Sequence, residues 1–457
     1  MSLPSSTRVL VVGAGPAGMA CAISLWDSGV KDVVIVDADE QALGVSNASR
    51  AIVIHAATLE ALDSLGCADS LVARGIKGAS MNYYDRSDNL LMGVDFTDGL
   101  LGKTSHPYFV LLPQRITEDV LSQKLKDVGV PIYRPYKAVD MRENHQDARA
   151  VDVLFENGQS ITAQYVIGAD GSQSMVRQLS GVAFADPGTT PGKPEAMNTL
   201  AQMVIADITF DGTPHITDKL YAVLSLESFF ILAHLQHPTA GSKDANGKQI
   251  YRLACGVPLT DGAPPSKSSV EYCQALIEKY GPHSLSCDKN KNPHAIKVTD
   301  VVWSTRFRTK YAVADTFFTY FGGGSSNGAG STGARVCLIG DAAHIHPPAG
   351  GQGMNLGLRD GVSLGPIIAA ALTAGTSPET DEKVRAHMAL RRERAVNVIG
   401  VAKVMAGAVG MAPGVRDMFS WSPIHIFTVR DWMLWMLCKS RWVRETIAYK
   451  FSGIGEP

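Results

Sequence analysis

The sequence has no closely paired cysteines, although it contains seven cysteines in 457 residues. None of them are spaced as CxxC, and most stand alone within apolar stretches. An odd number of scattered cysteines predicts free, buried thiols in a reducing compartment and excludes a disulfide framework. We therefore expect a cytoplasmic protein.

Membrane-spanning and nucleic-acid-binding segments are also scarce. The amino-terminal MSLPSSTRVLVVGAG has no charged region before an apolar core, which argues against a secretory signal. The longest apolar segment, residues 396–414, is interrupted by Lys403 and several glycines, so we expect a packed helix and no transmembrane span. Basic and acidic residues number 42 and 44, without a basic run interleaved with aromatics, so nothing indicates nucleic acid.

A glycine-rich motif lies between a predicted strand and a predicted helix near the start of the chain. Arg8–Val12 is an apolar run typical of a buried parallel strand, GAGPAG follows at 13–18, and a helical pattern comes next. A second apolar strand ends at Asp37, 19 residues after Gly18. This βαβ pattern predicts a dinucleotide site, because the glycines admit a pyrophosphate and the carboxylate accepts ribose hydroxyls. The predicted contacts are Gly13, Gly15, Ala17, Gly18 and Asp37.

Two further glycine-containing stretches each follow a predicted buried strand. GADGSQSMVR occupies residues 168–177, where Asp170 would be no more than a turn former if the stretch stood alone. GDAAHIHPPAGGQGMN occupies residues 340–355. Between these α/β segments, residues 81–107 and 190–334 show the short alternating pattern of antiparallel strands.

The stretch at 340–355 permits two interpretations. His344 and His346 with Asp341 suggest a metal site, but adjacent prolines make a poor ligand scaffold and no Cys or Glu cluster is near, so no metal is predicted. The chain also has no GxSxG elbow of a serine hydrolase. The favoured interpretation is a backbone that lies against a ligand at the carboxyl edge of the sheet, followed by a helix whose N-terminus favours negative charge.

The three stretches together resemble the FAD-dependent aromatic hydroxylases, the class A flavoprotein monooxygenases with the p-hydroxybenzoate hydroxylase fold. That family carries an early GxGxxG, then DGxxSxxR, then a GD motif close to GDAAHxxPPxGxxGxN. The second is matched by Asp170, Gly171, Ser174 and Arg177, and the third by residues 340–355. The resemblance covers about residues 7–400, in matching order.

The resemblance implies an α/β fold in which a discontinuous FAD-binding Rossmann-like domain carries an inserted antiparallel β-sheet substrate domain. The FAD-binding domain is expected at 1–80, 108–189 and 335–400. The substrate domain is expected at 81–107 and 190–334, and a helical C-terminal region at 401–457.

The same resemblance implies roles for individual residues. Asp341 would bind the ribityl chain of FAD, and Asp170 would lie near FAD and the route of NAD(P)H. The backbone around 350–355 would cradle the flavin pyrimidine edge, through Gly351, Gly353, Met354 and Asn355. Pro348 and Gly350 would form the wall between flavin and substrate, as the candidate catalytic positions. Arg50 and the pair Gln114–Arg115 match positions that touch FAD.

The implied activity is aromatic hydroxylation with tightly bound, non-covalent FAD, NAD(P)H as a transient co-substrate, and O₂. In this family a flavin C4a-hydroperoxide transfers oxygen to the ring. Phenols and hydroxybenzoates, prenylated rings and polyketide-derived rings are all open, and a ring carboxylate could add decarboxylation. Alternatives are epoxidation of an alkene or indole, a halogenase, whose WxWxIP motif is absent, and a non-catalytic carrier.

The sequence leaves open which residue activates the substrate and what the C-terminal segment does. Tyr221, Tyr251 and His234 are candidates for activating the substrate, although each is more often structural. Residues 419–451 hold four of the six tryptophans. This segment could pack on the β-domain, form a homodimer or touch a membrane surface as an amphipathic helix, and packing is the default. The chain is expected to be a monomer or a homodimer.

Overall fold

The structure of the protein is a computed structural model that describes residues 2–40, 51–187, 202–216, 220–225, 228–235, 247–308, 310–322, 333–347, 349–375, 377–410 and 426–454. The strands are β1 (Ser6–Val12), β2 (Val33–Val36), β3 (Val53–Ile54), β4 (Ile76–Gly78), β5 (Ser80–Tyr84), β6 (Leu90–Asp95), β7 (Phe109–Leu111), β8 (Ile132–Tyr133), β9 (Ala138–Glu143), β10 (Val151–Phe155), β11 (Ser160–Gly168), β12 (Phe184–Ala185), β13 (Gln202–Phe210), β14 (Leu220–Leu224), β15 (Phe229–His234), β16 (Tyr251–Val257), β17 (Val298–Arg308), β18 (Ala312–Ala314), β19 (Phe318–Phe321), β20 (Ala334–Leu338) and β21 (His344–Ile345). The helices are α1 (Pro16–Asp27), α2 (Ala56–Asp63), α3 (Ala68–Arg74), α4 (Phe96–Leu100), α5 (Gln114–Asp127), α6 (Met175–Leu179), α7 (Val270–Tyr280), α8 (Gln352–Thr373), α9 (Pro378–Gly410), α10 (Ile426–Leu437) and α11 (Arg441–Ser452).

The first sheet has the order β19-β20-β11-β1-β2-β8, and β10 and β9 extend it from β11. The strands β20, β11, β1, β2 and β8 are parallel to one another. Most of their side chains are apolar because both faces of the sheet are covered, and residues such as Leu10, Ile35 and Val166 have no exposed surface. This sheet confirms the predicted α/β dinucleotide-binding architecture.

Helices α1 and α8 pack together at unusually short range on this sheet. A Cβ atom at Gly361 would lie 2.4 Å from the carbonyl oxygen of Ala17, and one at Gly365 would lie 2.3 Å from the Ser24 hydroxyl. The Ser24 hydroxyl also donates to the Val362 carbonyl at 2.6 Å. Glycine on α8 therefore lets the late segment of the chain press against the first βα unit.

The second sheet has the order β17-β13-β16-β15-β14-β5-β6. It joins the hairpin β5–β6, from the early segment, to strands between residues 202 and 308, so segments far apart in sequence share one sheet. Most neighbours are antiparallel as expected, but β14 runs parallel to β5. A parallel pair needs a long crossover connection, which the intervening chain supplies. The exact domain boundaries stay predictions.

Three element boundaries differ from what the sequence pattern predicts. The apolar spacing over residues 111–128 predicts one helix, but helix α5 begins at Gln114 because Phe109–Leu111 forms strand β7 and pairs with β3 and β4. The apolar pattern at the start of that range suits a buried strand equally well. The apolar runs at 161–163 and 164–169 predict two separate strands, but the structure has one strand there, β11. The apolar spacing over 379–404 predicts a helix, and the helix found there extends to Gly410.

The C-terminal helices α10 and α11 contact β6, and α11 also contacts α4. The helices fit closely at Ala448, which is fully buried. A Cβ atom added at Gly99 would lie only 2.8 Å from the Cβ atom of Ala448. Within the ranges given above, no helix is both long and apolar enough to cross a membrane.

Candidate functional site

The loop between β1 and α1 uses its three glycines in two different ways. Gly13 has φ of +106°, and a Cβ atom there would lie 2.3 Å from the Ala169 carbonyl oxygen. At Gly18 a Cβ atom would lie 1.9 Å from the Gly13 carbonyl oxygen. At Gly15 a Cβ atom would meet nothing within 4 Å. Gly13 and Gly18 are thus required by packing, whereas Gly15 leaves open space at the start of α1, where a phosphate is stabilised.

Asp37 lies at the end of β2 and is already held in place. Its Oδ2 accepts a hydrogen bond from the Ala14 amide at 2.6 Å, and its Oδ1 pairs with Nη1 of Arg134 at 2.5 Å. A cavity of about 350 Å³ opens beside this pair, lined by Ala14, Met19, Glu118 and Arg134 among others. The two residues that hold the Asp37 carboxylate, Ala14 and Arg134, therefore line a cavity large enough for part of a nucleotide.

Sequence reasoning missed Arg134 and Glu118, which no motif marks. Glu118 is buried on α5, and this burial raises the pKa of its carboxyl to about 7. The Gln114 side chain donates to Glu118 at 2.8 Å and opposes that rise in pKa. Arg134 reaches Asp37 from across the sheet edge, 97 residues away in sequence. A contact of that range has no local signal in the sequence.

Asp170 caps helix α6. Its Oδ1 accepts from the Ser174 hydroxyl at 2.5 Å, and its Oδ2 accepts from the Met175 amide at 2.7 Å. Burial raises the pKa of the Asp170 carboxyl, and these hydrogen bonds oppose the rise. Arg177 then donates to the Ala342 carbonyl at 2.8 Å. The second motif therefore has a clear structural role, which ties it to the third motif.

The histidines of the third motif are structural neighbours of the sheet edge. Nε2 of His344 donates to Asp360 at 2.7 Å, and the other oxygen of Asp360 pairs with Nε of Arg391 at 2.7 Å. All three side chains are buried, and Arg391 and His344 hold the pKa of Asp360 well below its usual range. Asp341 is exposed in a 3₁₀ turn, Gly340–Ala342, whose other two residues are buried.

The loop before α8 is shaped by backbone conformation. Gly350 and Gly351 have φ of +72° and +68°, the left-handed region that favours glycine. Asn355 is fully buried, and its side-chain amide donates to the carbonyls of Gly351 at 2.7 Å and Val53 at 2.9 Å. The Asn355 side chain therefore holds the loop, which leaves the amides of the first turn of α8 as the groups that can meet a ligand.

His55 supports the same loop from beneath. Its Nε2 donates to the Gly350 carbonyl at 2.7 Å, so the proton of the neutral ring lies on that nitrogen. Its Nδ1 finds no hydrogen-bond partner among the described residues. Burial lowers the pKa of His55 to about 4, and burial lowers that of His346 to about 4 as well. Both rings are neutral at pH 7.

The C-terminal segment also touches this loop, a contact that the sequence did not predict. The Gln352 side chain donates to the Phe451 carbonyl at 2.7 Å, and Arg359 donates to the Gly453 carbonyl at 3.1 Å. A Cβ atom at Gly350 would lie 2.7 Å from the Phe451 ring. The end of α11 thus packs directly on the loop predicted to hold the flavin.

Two predicted residues, Arg50 and Pro348, lie outside the described part of the chain. Arg115 is partly buried in the first turn of α5. The adjacent Gln114 amide donates to the Ala51 carbonyl at 2.9 Å, which brings the chain next to Arg50 to the start of α5. The contact of either arginine with FAD stays a prediction.

The predicted segments converge at one edge of the first sheet. Val12 lies opposite Val36 on one side and Gly168 on the other, and Gly168 lies opposite Leu338. The loops after β1, β2, β11 and β20 therefore emerge side by side at the carboxyl ends of the strands, where open α/β sheets bind ligands. They carry Gly13 to Gly18, Asp37, Asp170 and Asp341. This edge, with its open approach at Gly15, fits a long dinucleotide.

The three candidates for substrate activation lie elsewhere. Tyr221 and Tyr251 are buried in the core of the second sheet, and Tyr221 donates to Asp88. The His234 ring packs edge-on against Tyr251, with centroids 5.4 Å apart. These contacts favour structural roles for all three.

The buried neutral histidines predict a pH-dependent stability. Their pKa is lower in the folded state than the unfolded value of about 6.5, so the unfolded state binds more protons below that pH. His55 and His346 contribute fully above about pH 6.5, and their contribution is lost as pH falls towards 4. We expect the free energy of unfolding to fall by about 1–2 kcal/mol for each between pH 7.5 and 5.

Urea unfolding at the two pH values measures this difference. His55→Gln should reduce the difference, whereas His145→Gln, at an exposed position, should leave it unchanged. Equal stability of the wild type at pH 7.5 and pH 5 would contradict the buried, neutral state of both rings.

Comparison with known proteins agrees with this geometry. The family described as "FAD binding domain" matches residues 6–278 and 330–396. Rifampicin monooxygenase of Streptomyces venezuelae is 27% identical over 380 residues, covering 81% of this chain and 65% of the relative. The 12-dehydrotetracycline 5-monooxygenase/anhydrotetracycline 6-monooxygenase of Streptomyces rimosus subsp. rimosus is 29% identical, covering 90% of this chain and 72% of the relative. The chain thus spans about two thirds to three quarters of these relatives.

A solved structure extends the likeness over the whole fold. p-Nitrophenol 4-monooxygenase from Pseudomonas putida DLL-E4 superposes with a TM-score of 0.72 at 22% identity, covering 99% of each chain. At that identity the likeness shows the fold alone. The family match covers well over half of the chain, and it confirms both the resemblance inferred from the three motifs and the FAD cofactor. The chain belongs to the FAD binding domain family of FAD-dependent monooxygenases.

Proposed function

We propose that this protein uses FAD, NAD(P)H and O₂ to hydroxylate an aromatic ring. The observation that carries the proposal is the convergence of four loops at one sheet edge, next to the N-terminus of α8. When bound, FAD supplies the redox and oxygen-transfer chemistry. The protein then has to bind the cofactor, orient it and keep water out, and no side-chain nucleophile is required.

The described residues fit those tasks. Gly15 leaves room for the pyrophosphate, and Asp37, oriented by Arg134 and the Ala14 amide, offers a carboxylate to a ribose hydroxyl. The amides at the start of α8 carry partial positive charge, and they would stabilise negative charge on a flavin held there. His55 and His346 are neutral and buried, so neither ring offers a positive charge to an anionic cofactor. The backbone amides would therefore stabilise that negative charge.

The substrate class we propose is a phenolic ring, with polyketide-derived rings foremost. Relatives are named for rifampicin, anhydrotetracycline and pentachlorophenol. NAD(P)H use and any coupled decarboxylation are part of this proposal. The predicted cytoplasmic location and the oligomeric state stay predictions.

Steady-state oxidation of NADH and of NADPH by the FAD-loaded protein tests the proposal. The panel should contain simple phenols, hydroxybenzoates, fused polyphenols and, as a separate arm, alkenes and indoles. We expect a few phenolic compounds to accelerate oxidation at least about tenfold and to gain one oxygen atom from ¹⁸O₂. If only alkenes accelerate the oxidation of NADH or NADPH and epoxides are the products, the protein is an epoxidase and the proposal of hydroxylation is wrong. Hydrogen peroxide as the only product with every compound would contradict the phenolic substrate class.

A further inference from the structure

Helices α10 and α11 expose a continuous set of large apolar side chains. We call this set the tryptophan face; its members are between 45% and 74% exposed, and they are Trp432, Met433, Trp435, Met436, Leu437 and Trp442. Single exposed apolar residues are ordinary on protein surfaces, but a contiguous patch of this kind marks a surface that contacts something. The face lies beyond residue 396, where the family match ends.

The opposite side of the same helices is well packed. Ala448 is fully buried against α4, Cys438 is buried beside β6, and the end of α11 is tied to α8 through Gly453. The helix pair is therefore anchored to the folded protein by one side. Its outward side carries the tryptophan face at a defined orientation.

Basic side chains border the tryptophan face. Between residues 431 and 454 the chain has four basic residues and two acidic ones, against a net charge of −2 for the whole protein. Lys439 and Arg441 are exposed; Arg441 pairs with Glu445 at 2.6 Å, whereas Nζ of Lys439 lies 3.7 Å from the centre of the Trp435 ring. The ammonium group is thus held at the edge of the apolar patch, where it could meet an anion.

A groove of about 320 Å³ runs beside the face, between β6 and the two helices. Apolar side chains of Leu91 and Trp435 line it together with Lys439 and Arg444. An apolar groove with cationic groups along it suits a molecule that has a hydrocarbon part and an anionic head.

We propose that the tryptophan face docks on an anionic lipid surface, with α10 and α11 lying in its plane. Tryptophan rings favour the boundary between acyl chains and headgroups, and lysine and arginine beside them meet anionic headgroups. The helices need not span the bilayer, since only their outward side enters the headgroup boundary. The proposal does not depend on the reaction that the protein catalyses.

A second copy of the chain fits this face less well. In a two-fold dimer the same patch meets itself, so the net positive charge of residues 431–454 would be brought against an equal charge on the second copy. Protein–protein interfaces are also depleted in lysine. An anionic lipid surface satisfies both the apolar side chains and the positive charge.

Sedimentation with vesicles tests the proposal on the full-length, FAD-loaded protein. We expect it to bind vesicles of phosphatidylcholine mixed with phosphatidylserine and to bind pure phosphatidylcholine at least about tenfold more weakly, with weaker binding at high salt. Tryptophan emission should shift to the blue on binding. The triple variant W432S/W435S/W442S should lose vesicle binding, and K439E/R441E should lose the preference for phosphatidylserine.

Matched variants keep the test specific. Leu390→Ser and Val302→Ser remove exposed apolar side chains outside the face and should bind vesicles as the wild type does. Bound FAD reports that each variant is folded. If the triple variant does not fold, K439E/R441E tests the proposal in its place. Wild-type protein that stays in the supernatant with anionic vesicles would overturn the proposal. A wild-type dimer that W432S/W435S/W442S converts to monomer would also overturn it, in favour of an interface between copies.

Discussion

Asp360→Asn should lower the free energy of unfolding by about 3–5 kcal/mol, because it leaves the buried guanidinium of Arg391 without its anion. Asp360 pairs with Arg391 and with His344, each at 2.7 Å, and it is only 1% exposed. It also accepts from the Gly340 amide at 3.3 Å. The change therefore loosens the third motif where it leaves β20, so FAD affinity should fall together with stability. Urea unfolding and FAD titration measure the two effects.

Asp381→Asn is the matched comparison. Asp381 forms a buried two-point pair with Arg335, at 2.9 and 2.7 Å, away from the three motifs. We expect a comparable loss of stability with FAD affinity unchanged. If Asp360→Asn weakened FAD binding no more than Asp381→Asn does, the buried network would be a stabilising feature without a role in shaping the cofactor site.

Gly18→Ala should give protein that neither folds normally nor retains FAD, whereas Gly15→Ala should fold and bind FAD weakly. At Gly18 the added methyl group would lie 1.9 Å from the Gly13 carbonyl oxygen, and backbone cannot move away there without separating α1 from the sheet. At Gly15 nothing lies within 4 Å, and the backbone is extended with φ of −73°. A methyl group there costs the fold nothing and occupies the space assigned to the pyrophosphate.

The two variants separate packing from ligand approach. We expect the thermal midpoint of the cofactor-free Gly15→Ala protein to match that of the wild type, with FAD affinity reduced at least about tenfold, or roughly 1.4 kcal/mol. FAD titration followed by flavin fluorescence and thermal unfolding measure both quantities. Normal FAD affinity in Gly15→Ala would show that the pyrophosphate does not approach at this residue.

Much of the first sheet and its ligand-binding edge followed from local patterns in the sequence. Runs such as residues 9–12 and 336–339 are apolar without interruption, because parallel strands are buried on both faces. Glycines directly after such strands marked the loops after β1 and β20, and the acid at Asp37 marked the end of β2. The element boundaries were less predictable, as at Leu111 and Leu112, where the same apolar residues suit a strand or a helix.

The supporting contacts of the site could not be predicted in the same way. Arg134 orients Asp37, Arg391 completes the Asp360 network, and Phe451 packs on Gly350, yet none of them belongs to a motif. Tyr221, one of the open candidates for substrate activation, was equally unpredictable in its contacts, since its hydroxyl donates to Asp88 in the second sheet.

The sequence by itself determined the type of sheet, the dinucleotide loops and the backbone character of residues 340–355. These features depend on the periodicity of apolar residues and on backbone conformations that are set by residues adjacent in the chain. Tertiary structure alone decided which distant side chains support those loops, that β5 joins β14 in parallel, and that the C-terminal helices pack one side on the site and expose the other. The physical reason is that burial and ion pairing depend on which segments meet in space. The type of a residue does not indicate which distant residue it will contact.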